Sequence, residues 1–126
     1  MCRALIVLCV VVTVPLLACA ADQVDPLKQL DDEMIGTAIV KRCNPSFDWN
    51  KRLKSADPMG RKAYDKILSE LQTKNPSDPN NAMSADRAFN LRMEEMFRKG
   101  DQLVSQKGCA DREVQERRRK FEGAGR

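Results

Sequence analysis

The stretch from Met83 to Cys109 sets the terms for the rest of the chain. Within it Ala85, Phe89, Met93, Met96 and Leu103 recur at three- to four-residue steps, the repeat that lines up one face of a helix. Ser84 suits an N-cap. Lys107-Gly108 reads as a stop, with a cation near the carbonyl end and a glycine able to take the left-handed turn. Cys109 follows at once, so any bond it makes is tied to the end of the longest expected helix.

The compartment is written at the other end. Met1-Cys2-Arg3 is a short basic start, Ala4 to Leu17 is an apolar run, and Ala18-Cys19-Ala20 gives way to polar residues. This is the anatomy of a secretory signal peptide over residues 1–20, removed to leave a secreted chain. The run is shorter than the roughly 20 residues of a membrane span, and Pro15 interrupts it. Leu16-Leu17-Ala18-Cys19 also resembles a bacterial lipobox. The alternative is therefore a periplasmic lipoprotein anchored at Cys19.

Removing the leader lowers the formal net charge from +4 to +3 by loss of Arg3, too small an excess to imply nucleic acid or an acidic partner. Of the five cysteines, Cys43 and Cys109 remain, and two cysteines in an exported chain pair most simply with each other. The chain-entropy model gives so long a loop about 4 kcal/mol. The mature chain is short, sparse in large apolar residues and rich in charge, so such a staple matters.

Asp25-Pro26 opens a first helix, expected over 26–41, with Leu27, Leu30, Met34, Ala38 and Ile39 on one face and Gly36 as a weak point. Asn44-Pro45-Ser46 is a turn. Phe47 and Trp49 follow, with Leu53 one turn beyond Trp49, on a short helix capped by Ser46. They either seal the end of the core or serve as a binding hot spot. Asp57-Pro58 opens a helix expected over 58–73, and the loop at Asn75 to Asn81 turns the chain back into the helix that ends before Cys109. The fold class is all-α: a small helical hairpin plus a third packed helix, closed by Cys43–Cys109. Residues 21–110 form the domain. Residues 111–126, in which only Val114 and Phe121 are large and apolar, are expected to be a charged, flexible C-terminal tail: a fraying helix ending in Gly-Ala-Gly-Arg.

The sequence contains no histidine. That removes the commonest general base, the commonest metal ligand and every Ser-His or Cys-His nucleophile. No phosphate loop, nucleophile elbow or calcium loop is present. Asp31-Asp32-Glu33 and Glu94-Glu95 are neighbours that point to different helix faces, and are read as solvated. No catalytic residue, metal or cofactor is expected, and the chain reads as a non-enzyme. Arg117-Arg118-Arg119-Lys120 could bind anions, although Glu113, Glu116 and Glu122 interleave with it. Lys41-Arg42, Lys51-Arg52, Arg61-Lys62 and the same cluster also resemble dibasic processing sites of a peptide-hormone or toxin precursor.

The expectation is a secreted binding factor, of toxin, saliva or hormone type. Its contacts would come from helix surfaces, Phe47, Trp49 and Arg117 to Lys120. Its partner would be an extracellular protein or receptor, with no nucleic acid and no membrane span.

Overall fold

The structure, a computed structural model, describes residues 24–124, with the backbone alone for Lys54 and Ser55. The expected signal peptide, including Cys19, lies outside the described residues. Among them the chain forms α1 (Pro26–Cys43), α2 (Trp49–Lys74), α3 (Asn81–Lys107) and α4 (Arg112–Gly123), and no strand. The fold is all-α, as the sequence predicts. No helix of the described residues is long and apolar enough to cross a membrane.

The hub is α1, not α3. It starts where Asp25 accepts the Leu27 N–H at 3.0 Å and Pro26 fills the first turn. Ala38, Ile39 and Val40 are consecutive and all buried. Successive helical residues point about 100° apart, so three in a row are covered only if neighbours stand on several sides. They do: α1 packs against α2, α3 and α4. Ile39, Val104 and Val114 meet at the centre, with Ile35 and Leu103 against them. The Cys43–Cys109 disulfide packs on the same cluster, its Cα atoms 5.5 Å apart, and closes a separation of 66 residues.

Two glycines let the helices close on α1. A Cβ on Gly100 of α3 would stand 2.5 Å from the Ile35 carbonyl oxygen, and one on Gly36 would stand 2.8 Å from Phe121 Cβ. Gly36 is therefore a contact point with α4 rather than a weak point of α1. Charged tethers add direction. Arg92 on α3 grips Asp31 on α1 through two bonds of 2.7 and 2.8 Å, and Lys66 on α2 reaches Asp25 at 2.8 Å.

Three expectations are corrected. First, α2 begins at Trp49 rather than Pro58. Asp48 accepts the N–H groups of Asn50 and Lys51, which is a sufficient start. Pro58 then sits inside the helix and withholds one intrahelical N–H. Ser46 caps nothing; its hydroxyl donates to Asn44 Oδ1. The face of α2 turned inward runs through Trp49, Arg52, Met59 and Ala63, so Leu53 falls outside it and is 64% exposed.

Second, α3 begins at Asn81, and Ser84 lies in its first turn, its N–H donating to the Asn80 carbonyl. The side chain of Asn81 is buried and donates to the Asn75 carbonyl at 2.8 Å, closing the loop between α2 and α3. Third, the helix expected after Cys109 does not fray: residues 112–123 form α4, packed on α1. Val114 is fully buried and Phe121 is 5% exposed. Seven residues are two helical turns, so this pair shares a face that docks on α1 while the charges take the other. Asp111 caps the start by accepting the N–H groups of Glu113 and Val114.

Candidate functional site

α2 and α4 both rest on α1 and meet each other through the side chains of Trp49 and Arg52 against Phe121, and a cleft lies between them. Its volume is about 760 Å³, within the range of small-molecule sites. The apolar part of its lining comes from Ile35 on α1, Met59 on α2 and Phe121 on α4, with Val24 and Ala124 from the chain beyond the helices. The rest of the lining is Gln29 and charged side chains.

The most deeply buried charges are Arg52 and Glu33. Their side chains are 6% and 10% exposed. Arg52 Nε donates to Glu33 Oε1 at 2.9 Å, and Nη2 bonds Oε2 in the paired geometry that suits guanidinium to carboxylate. The guanidinium carbon also lies 4.4 Å from the centroid of the Phe121 ring, a cation–π contact. Taking two ions out of water costs several kcal/mol per ion before their attraction returns it, so stability alone is a poor reason to keep such a pair.

The rim is closed by weaker pairs. Lys120 Nζ stands 3.4 Å from Asp32, and Arg117 Nε stands 3.2 Å from Glu113. Glu113 also takes Lys107 Nζ at 2.6 Å. The hydrogen bond from Lys107, then the one from Arg117, holds the Glu113 carboxyl below its ordinary range. Lys28 on α1 and Glu116 on α4 line the cleft as well, both exposed. Neither makes an ion pair or hydrogen bond among the described residues.

The expected site residues divide. Phe47 and Trp49 are half-buried, their ring centroids 5.0 Å apart, and they rest on Phe121 at 5.7 and 6.2 Å. They touch the cleft through that ring and do not line it. Arg117 and Lys120 do line it. Arg118 instead approaches Glu122 at 3.8 Å, and Arg119 Nε donates to the Gln115 carbonyl at 3.4 Å. The four basic residues therefore do not act as one patch. Asp31, Asp32 and Glu33 are not a solvated run either, since Arg92, Lys120 and Arg52 each take one.

The sequence reading missed Arg52, Glu33 and Phe121 as a group. A signal existed for two of them. Glu33 falls three residues after Leu30 and three before Gly36, on the buried side of α1, and Phe121 is in phase with Val114. Arg52 gave none, because a dibasic pair reads as exposed. Among the described residues no group of acids, histidines or cysteines could hold a metal ion. Comparison with known families, curated proteins and solved structures gives no match.

Proposed function

We propose that the protein is an exported, non-enzymatic binding factor that acts as a whole folded domain, with the cleft between α1, α2 and α4 as its working surface. The observation that carries this reading is the Arg52–Glu33 pair set beside the apolar lining. A mostly apolar concavity with a few fixed polar groups is how proteins orient a captured small molecule. The disulfide agrees with an oxidising, extracellular destination.

The precursor reading is less well supported. Each of the dibasic pairs lies within α1, α2 or α4, and Arg52 is buried. Proteases prefer exposed loop tips, so cutting there would require the domain to open first.

A neutral apolar dye such as Nile red tests the cleft on the intact protein. Saturable binding at one site is expected, and Met59→Trp, which fills the cleft, should abolish most of it. No binding, or binding indifferent to Met59→Trp, would sink the reading. So would recovery from the native host only as pieces ending at the dibasic pairs.

A further inference from the structure

The charges of the cleft balance, so its lining has no reason to favour a polyanion or a polycation. Three acid–base pairs stand within it, Arg52–Glu33, Arg117–Glu113 and Lys120–Asp32, and Glu113 holds Lys107 as well. What remains is one ammonium, Lys28 on α1, and one carboxylate, Glu116 on α4, each solvated and each without a protein partner among the described residues. The same lining carries apolar surface from Ile35, Met59 and Phe121. A ligand with one charge would satisfy one of these groups and bring a like charge toward the other. A ligand with both charges on one head, joined to an apolar chain, would satisfy both.

We infer that the cleft takes a single-chain zwitterionic amphiphile as a free monomer. Its chain lies on Ile35, Met59 and Phe121, its anionic group is held by Lys28 and its cationic group by Glu116. This rests on the cleft being the binding site.

The protein carries one tryptophan, Trp49, whose ring is 6.2 Å from that of Phe121, so its emission reports on the cleft. The whole protein is titrated with four dodecyl amphiphiles below their micelle concentrations, with phosphocholine, sulfate, trimethylammonium or maltoside heads. Displacement of Nile red serves as a second readout. The phosphocholine is expected to bind at least about three-fold more tightly than the other three, since an exposed charge contact is worth a factor of up to about five. Lys28→Glu and Glu116→Lys should each weaken phosphocholine binding about three- to five-fold. The two exchanges together should restore much of it.

Equal or tighter binding of the sulfate or the trimethylammonium compound would overturn the inference, as would indifference to both exchanges. Phosphocholine and maltoside binding equally well would end the headgroup assignment while leaving the cleft as a site. If no dodecyl compound binds, the cleft reading fails with it.

Discussion

Phe121 and Gly36 show how one residue decides the fold of a charged segment. The aromatic side chain lies against bare backbone of α1, and its ring is then covered by Phe47, Trp49 and the Arg52 guanidinium. Replacing Gly36 by alanine sets two effects against each other. Alanine is the better helix former by about 0.5–1 kcal/mol, but overpacking costs about 1–3 kcal/mol. The new Cβ would meet Phe121 Cβ and Cγ at 2.8 Å, atoms near the backbone that cannot swing aside. Gly36→Ala should therefore lower stability, by up to about 2.5 kcal/mol as the difference of those terms. Gly60 is the control. Its nearest neighbour would be Phe89 Cζ at 3.9 Å, so Gly60→Ala should raise stability by about 0.5–1 kcal/mol. Urea unfolding of both variants checks the pair; a shift in the same direction for both would refute the close-approach argument.

Elements hold their places here through polar tethers as much as through the core, and the joint between α3 and α4 has a testable sign. Glu113 is depressed by Lys107 and Arg117, so in the folded state it stays ionised to lower pH than in the unfolded chain. A depressed carboxylate contributes stability that is present above its unfolded pKa and is lost as pH falls through the folded one. Glu113→Gln should thus melt below the parent at neutral pH, and the gap should shrink as the solution is acidified past the carboxylate range. A gap that stayed constant with pH would remove Glu113 from the account. This joint was not legible in the sequence, and neither was the docking of α4, although Val114 and Phe121 stand in phase. Spacing and composition reported the helices well, since Leu, Met and Ala at helical steps report burial on one face. They placed α1 and α3 and the hairpin. They did not report which charged face would be covered. Arg52 and Glu33 are buried because each meets the other across two helices, and no local pattern encodes a partner 19 residues away. Likewise Asp57-Pro58 has the chemistry of a helix start. Asp48 supplies a start nine residues earlier, and the remaining turns of α2 tolerate one missing N–H.

At the scale of the whole molecule the core among the described residues is small, built mainly from alanine and valine with one buried aromatic, and the cleft depends on keeping α4 in place. α4 begins three residues after Cys109, so the disulfide fixes the point from which that wall of the cleft departs. Closing a loop of 66 residues contributes about 4 kcal/mol by restricting the unfolded chain. Small domains have a total of only about 5–15 kcal/mol. Cys43→Ser should accordingly lower the melting temperature by on the order of 15 °C or more, at about 4–8 °C per kcal/mol for a domain near this size. The loss should also be ordered. Val114 and Phe121 are the buried apolar residues of α4, and without the staple this shortest helix, at the end of the chain from α3, should release first. Trp49 emission, which senses Phe121, should then change at a lower temperature than far-ultraviolet circular dichroism, which follows all four helices. Chemical reduction of the parent protein should reproduce both the lower melt and the split between the two probes. An unchanged melt would refute the staple. A lowered melt with coincident probes would keep the staple but make the domain a single cooperative unit, in which the cleft cannot be lost before the fold.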